Sequence, residues 1–124
     1  MNIKFISLFV VVFILNSCEK KYKYVERETR GSILGGIETV EKEEEIIAKA
    51  DSSAYLQAFQ KFKISEKINK QMRSTHFRYA PIAESFILYD EDGKNITYIS
   101  FPSKKKEEAE IIRILSKVKS TFSY

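Results

Sequence analysis

Residues 21–27 read KYKYVER, a stretch in which alternate positions carry similar side chains. One side of an extended chain would hold Tyr22, Tyr24 and Glu26, and the other side would hold Lys23, Val25 and Arg27. Because successive side chains of a strand point to opposite faces, this period of two predicts a β-strand. The glycine-rich segment 31–36 that follows predicts a turn, since glycine adopts positive φ at little cost.

The acidic segment 38–50, ETVEKEEEIIAKA, comes next, and both a helix and a strand are tenable there. We favour a strand over residues 44–50 that pairs with the first strand. The reason is that Asp51-Ser52-Ser53 is typical of a helix start, so a separate helix begins there. The glutamates 43–45 are interpreted as a solvated stretch.

Apolar side chains at helical spacing predict a helix from residue 51, with a stripe formed by Tyr55, Ala58, Phe59 and Phe62. Farther along, Ile64, Ile68 and Met72 also repeat every four residues. They lie on a face roughly 180° away at 100° per residue. We therefore expect the helix to bend or break near residues 63–65, and a second short helix to run to about residue 73.

Residues 84–89 (ESFILY) and 96–101 (ITYISF) are rich in aromatic and β-branched side chains, and DEDGKN separates them. This arrangement predicts a hairpin, because an Asp-Gly step suits a tight turn between two strands. Ser103 is predicted to cap a last helix whose apolar stripe is Ile111, Leu115, Val118 and Phe122, supported by Ile112 and Ile114.

The predicted fold class is α+β. A chain of 124 residues with 44% hydrophobic residues has room for one domain with a modest core. We expect a small antiparallel sheet of about four strands, with two or three helices packed on one face.

The first seventeen residues carry one charged side chain, Lys4. An apolar run follows it from Phe5 to Leu15 and is interrupted only by Ser7. At about 1.5 Å per residue the run covers roughly half of a bilayer's hydrocarbon core, so it is short for a spanning helix. A charged start and a short apolar middle are typical of a secretory signal peptide, and a spanning anchor is the alternative.

The end of this run, Leu15-Asn16-Ser17-Cys18, resembles the lipobox of bacterial lipoprotein precursors. The resemblance implies a diacylglyceryl group on the sulfur of Cys18 and cleavage just before it. Residues 1–17 would then be the signal peptide, 18–21 the lipidated cysteine with a short tether, and 22–124 a single small α+β domain. The alternative is that Cys18, the only cysteine, is an ordinary thiol, although a lone cysteine cannot form an internal disulfide.

The resemblance also implies a location. Two or three acyl chains hold a protein on a membrane almost permanently. Glu19 stands where an aspartate typically retains such proteins at the inner membrane, so we expect the outer membrane, with the periplasmic or surface face left open. Candidate contacts to anionic surfaces are the cations Lys20, Lys21, Lys23, Lys104, Lys105 and Lys106.

The sequence supports a catalytic or ligand-binding role less well than it supports a location. A formal net charge of +4 is a mild excess, so we expect no nucleic-acid partner. His76 is the only histidine and has no second candidate ligand or nucleophile nearby in sequence. The loop 90–95 contains Asp-x-Asp-Gly, but a calcium loop would place Leu88 and Ile99 where carboxylates are required. We expect no metal, cofactor, enzymatic activity or small-molecule substrate.

Three functions remain open. The favoured one is a membrane-anchored lipoprotein of the bacterial cell envelope that acts as a non-enzymatic binding or accessory subunit for a protein partner. The alternative is a periplasmic or surface inhibitor of the immunity-protein type. A structural lipoprotein that contacts cell-wall polymer is the third.

Overall fold

The computed structural model describes residues 19–31, 35–75 and 81–118. Within them the elements follow in the order β1 (Lys20–Gly31), β2 (Ile37–Ala48), α1 (Asp51–Thr75), β3 (Ile82–Tyr89) and α2 (Lys104–Lys117). The strands form one antiparallel sheet in the order β2-β1-β3. The predicted α+β class and antiparallel sheet are confirmed.

The central strand β1 has the predicted alternation. Tyr22, Tyr24 and Glu26 are buried under the helices, whereas Lys23 and Arg27 are exposed on the other face. Strand β1 begins at Lys20, opposite Ala48.

Residues 38–48 are a strand and pair with β1, as favoured, but β2 begins at Ile37, well before the predicted start at residue 44. The acidic side chains are exposed, and they also face a basic strand. Lys23 Nζ lies 3.2 Å from Glu43 Oε1, and Arg27 Nη2 lies 3.4 Å from Glu41 Oε1. Opposite charges on neighbouring strands stabilise their pairing, which favours a strand over a helix here.

Helix α1 is continuous from Asp51 to Thr75, so the predicted break near residues 63–65 is wrong. The sequence periodicity shifts there because a buried position becomes polar: Asn69 is only 9% exposed, and its Nδ2 atom has no hydrogen-bond partner among the described residues. Ile64 and Ile68 are 37% and 38% exposed, so they do not mark the buried face of a second helix.

The predicted fourth strand, residues 96–101, is absent from the described part of the sheet. The turn after β3 does form, with Ile96 N–H donating to Leu88 O at 2.8 Å and an isolated bridge between Tyr89 and Asn95. Pairing then stops, because Asn95 Oδ1 accepts from Thr97 N–H at 3.0 Å and bends the chain. Thr97 Oγ1 accepts from Leu88 N–H at 2.9 Å, so a side chain takes the place of a strand carbonyl.

Helix α2 is present but less buried than its sequence stripe predicts. Ile111 and Leu115 are half-buried, Val118 is 55% exposed just after the helix, and Phe122 lies outside the described residues. Ser103 is the N-cap residue as predicted, yet its side chain makes no cap hydrogen bond. The helix rests on α1 and the loop rather than on the sheet.

The core lies between the sheet and α1, and it is aromatic. Phe86 of β3 is partly buried and packs against this core, with ring centroids 5.8 Å from Tyr24, 6.0 Å from Tyr55 and 5.4 Å from Phe62. Burying each such ring contributes about 1.5–3 kcal/mol. Tyr55 Oη also donates to Glu108 Oε1 at 3.1 Å, which joins α2 to the same side as α1. Helix α1 therefore covers one face of the sheet with α2 beside it, and the described chain leaves the opposite face open.

Candidate functional site

The predicted lipid-attachment residue Cys18 and the lipobox residues Leu15, Asn16 and Ser17 lie outside the described residues, as does His76. The chain that follows Cys18 is described from Glu19, and β1 begins one residue later. Two residues span at most about 7 Å at full extension.

One end of the domain, which we call the N-terminal end, gathers four chain segments around the start of β1. Tyr22 Oη donates to Asp51 Oδ1 at 2.7 Å, which brings in the start of α1. Lys21 N–H donates to Glu91 Oε1 at 2.9 Å, which brings in the loop after β3. Lys104 Nζ lies 4.4 Å from the ring centroid of Tyr55, which adds the start of α2.

The six predicted cations have different roles at this end. Lys104 is engaged within the domain, because its Nζ donates to Ile99 O at 2.8 Å besides covering Tyr55. Lys23 is engaged with Glu43 and lies 5.9 Å from the ring centroid of Tyr89. The side chains exposed to solvent at the N-terminal end are Lys20, Lys21, Lys105 and Lys106.

The N-terminal end is of mixed charge. The loop residues Asp90 and Glu91 line the same groove as Lys21 and Lys23, and Asp90 organises the turn. Asp90 Oδ1 accepts from Asp92 N–H at 2.9 Å and from Lys94 N–H at 2.8 Å, and Gly93 supports the turn at φ +80°. These carboxylates weaken the attraction of the end to an anionic surface.

The open face of the sheet is a second candidate site. Its centre is a shallow groove with Val25, Ile87 and Tyr89 at its base. Basic side chains of β1 line one part of the groove and acidic side chains of β2 line another: Lys21, Lys23 and Arg27; Glu41, Glu43 and Glu45. A surface of this kind offers paired charges around a small apolar patch, which suits contact with another protein.

The inner face of the sheet holds a feature that sequence reasoning missed, the carboxyl pair Glu26 and Glu28. The two residues are only 2% and 3% exposed. Tyr24 Oη donates to Glu26 Oε1 at 2.6 Å, and Lys42 Nζ lies 2.9 Å from Glu28 Oε1. The signal was present in the sequence, since Glu26 and Glu28 continue the alternation of Tyr22 and Tyr24 onto the buried face.

The carboxyl pair is electrostatically asymmetric. Burial, together with the hydrogen bond to Glu28, raises the pKa of Glu26 above its ordinary value. Burial alone would raise the pKa of Glu28 as well, but hydrogen bonds from Lys42 and Glu26 outweigh it and lower that pKa. The environment therefore shifts the pKa values of the two carboxyl groups in opposite directions.

The tyrosines around the core are hydrogen-bond donors rather than acids. Burial and the hydrogen bond to Glu26 strongly raise the pKa of Tyr24, and burial with Asp51 does the same for Tyr22. Burial and the bond to Glu108 raise the pKa of Tyr55 to about 12. All three hydroxyls therefore stay protonated at neutral pH and hold neighbouring carboxylates in place.

Comparison with known proteins adds no relative. No protein-family model, curated protein or solved structure matches the chain. None of the helices in the described ranges is both long enough and apolar enough to cross a membrane. Across those same ranges, no group of three or more His, Cys, Asp or Glu side chains is placed to hold a metal ion.

Proposed function

We propose that this protein is a lipid-anchored lipoprotein of the bacterial cell envelope, most simply of the outer membrane, and that its domain is a non-enzymatic binding or accessory subunit. The observation that carries the proposal is the sequence Leu15-Asn16-Ser17-Cys18 directly after an apolar run. Acyl chains on Cys18 would hold the domain at the membrane without any spanning segment.

The short connection between Cys18 and β1 supports a definite orientation. With at most about 7 Å of chain available, the N-terminal end faces the lipid headgroups. The lysines there have acidic neighbours, so we propose that the acyl chains provide the anchoring and that the lysines adjust the contact weakly. The strands then stand away from the bilayer, and the open face of the sheet is presented sideways.

We further propose that a folded envelope protein binds the open face. The supporting features are the rows of opposite charge on β1 and β2 and the apolar base that Val25, Ile87 and Tyr89 form between them. A polar, charge-paired surface favours a partner with a complementary charge pattern and a salt-sensitive association.

The anchoring is tested by expressing the chain in a bacterial host and determining the mass of its mature N-terminal residue. Acyl chains on Cys18 and recovery in the membrane fraction are expected. Cys18→Ala should leave an uncleaved precursor or release a soluble domain, whereas the control Ser17→Ala keeps a small residue and should be processed normally. A wild-type protein with an unmodified internal Cys18 would contradict the proposal.

The partner is tested by photo-crosslinking in native envelopes, with the reactive group at Glu45 on the open face. The control position is Ser116, which is exposed on α2. One envelope protein captured from position 45 and absent from position 116 is expected. Capture of a secreted toxin would favour the inhibitor function, capture of cell-wall polymer would favour the structural one, and equal capture from both positions would contradict the assigned face.

A further inference from the structure

Strand β2 forms one edge of the sheet, and β1 pairs with it on one side only. Two contacts show which of its backbone groups face outward. Lys21, which lies opposite Ile47, points its N–H away from β2 and donates to Glu91 Oε1 at 2.9 Å. The carbonyl of Ile47 faces away from β1 in turn, and it accepts from Gln57 Nε2 at 3.2 Å.

The other outward backbone groups of β2 belong to its acidic side chains. Direction alternates along a strand, so the N–H and C=O groups of Glu41, Glu43 and Glu45 face the same way as those of Ile47. Within the described ranges, no strand pairs with this side of β2. The outer edge of β2 therefore offers a row of donors and acceptors to an incoming strand.

One side of α1 lies along this edge. Gln57 bonds the outer side of β2, and Lys61 Nζ lies 2.7 Å from Glu44 Oε2. At about 100° per residue, Ile64 and Ile68 fall on the same side of the helix as Gln57 and Lys61, within an arc of roughly 60°. Both isoleucines are over a third exposed. They therefore give the outer edge of β2 an apolar wall.

A second copy of this chain is a poor occupant of the edge. Two β2 strands that pair antiparallel about a two-fold axis would set Glu43 opposite Glu43 and Glu41 opposite Glu45 on the same face. Like charges directly opposite each other destabilise a strand pair. The edge therefore favours a strand that carries positive charges.

Strand β1 shows which chemistry pairs with β2. On the open face, Lys23 and Arg27 form ion pairs with acidic residues of β2, whereas Tyr22 and Tyr24 point to the covered face. Glu45 is exposed and forms no ion pair with any described residue. The acidic row thus keeps a carboxylate for a further cation.

We propose that the outer edge of β2 binds an extended segment of a partner protein, which adds to the sheet as a fourth strand. Lysine or arginine at alternate positions of the segment faces the acidic row of the open face. The apolar side chains between them pack on Ile64 and Ile68. Backbone hydrogen bonds supply the affinity, and the alternating side chains supply the selectivity. This edge needs neither the lipid anchor nor the folded partner proposed for the open face.

The test is amide hydrogen exchange, followed by NMR, on the full-length chain in a non-ionic detergent. The probe is the synthetic peptide acetyl-Lys-Val-Lys-Val-Lys-Val-Lys-amide. At a peptide concentration about ten times Kd, the amides of Glu41, Glu43 and Glu45 should exchange about tenfold more slowly than without peptide. The control peptide has glutamate in place of each lysine and should leave their exchange unchanged. Strong protection of these amides before any peptide is added, or equal effects of the two peptides, would overturn the proposal.

Substitutions on β2 separate the edge from the rest of the domain. Glu43→Pro removes an outward N–H that β1 does not use, so the domain should fold while the peptide Kd rises by about tenfold or more. The matched variant Glu43→Gln keeps the N–H and should bind more tightly than Glu43→Pro. Equal Kd values for these two variants would show that the peptide does not pair with the edge.

A substitution on α1 covers the case in which Glu43→Pro does not fold. Ile64→Ser should raise the peptide Kd by about fivefold or more, because it removes part of the apolar wall. The control is Ile112→Ser on α2, since Ile112 is exposed as well. The same Kd for both variants would mean that the peptide does not lie between β2 and this side of α1.

Discussion

Single side chains explain why this small core tolerates buried polar groups. Tyr24 is 2% exposed, and its hydroxyl is matched with Glu26 at 2.6 Å. The same logic applies to Tyr22 with Asp51, at 2.7 Å. In both cases the ring contributes apolar burial and the hydroxyl supplies a hydrogen bond that a carboxylate would otherwise lack.

The Tyr24 hydroxyl can be removed without changing the ring. Tyr24→Phe should lower the free energy of unfolding by about 1–3 kcal/mol, because it leaves a buried carboxyl oxygen without its donor. Urea unfolding followed by circular dichroism at neutral pH measures the difference. The matched control is Tyr98→Phe, since Tyr98 is 88% exposed. Equal losses for the two variants would show that the Tyr24 hydroxyl is not a stabilising donor.

The helices and strands differ in how deeply they enter the core. Strand β3 buries Leu88 completely, at 0% exposure, whereas α2 has no buried residue. Helix α2 is instead held by polar contacts with α1, among them Lys67 Nζ, which donates to Leu115 O and, at 2.7 Å, to Val118 O. A lysine amino group at the C-terminal end of a helix satisfies its last carbonyls and suits its dipole.

Because β3 is buried more deeply than α2, a leucine-to-alanine substitution should destabilise the domain more in β3 than in α2. Leu88→Ala should destabilise the domain by about 2–5 kcal/mol, because it leaves a cavity in the closed core. Leu115→Ala should cost less than about 2 kcal/mol, since that side chain is already partly exposed and solvent can fill the space. Thermal or urea unfolding of the two variants decides the order. A larger loss for Leu115→Ala would mean that α2 is a core helix after all.

The domain has two distinct ends along the direction of its strands. The start of β1, the starts of both helices and the loop after β3 share one end. The pairing of Thr29 with Thr39 lies toward the other end of β1. With about 3.4 Å per residue, the 12 residues of β1 separate the two ends by roughly 40 Å.

This polarity predicts which end of the lipidated protein lies near a membrane. A fluorophore on Ser103→Cys, at the start of α2, should be strongly quenched by spin-labelled headgroups in vesicles that carry the acylated protein. The same fluorophore on Thr39→Cys should be quenched weakly, because roughly 30 Å or more of strand separates it from the N-terminal end. Both positions are exposed, so labelling is comparable. Equal or reversed quenching would contradict the proposed orientation.

The local sequence pattern was sufficient to predict β1, its pairing with β2, the helix that starts at Asp51 and the α+β class. Each depends on the period of side chains along one segment or on a capping residue, and these properties are local. The lipobox resemblance likewise concerns adjacent residues, and it stays a prediction about Cys18.

Three features required contacts between distant segments. Helix α1 continues past residue 65 although a buried position in this part of the helix is polar, Asn69, which is 9% exposed. The fourth strand is absent from the described sheet because the Thr97 hydroxyl accepts from Leu88 N–H in place of a strand carbonyl. The carboxyl pair is buried because an aromatic core and Lys42 surround it. In the last two cases a polar side chain took a partner from another part of the chain, and the energy of that hydrogen bond or ion pair outweighed the local preference.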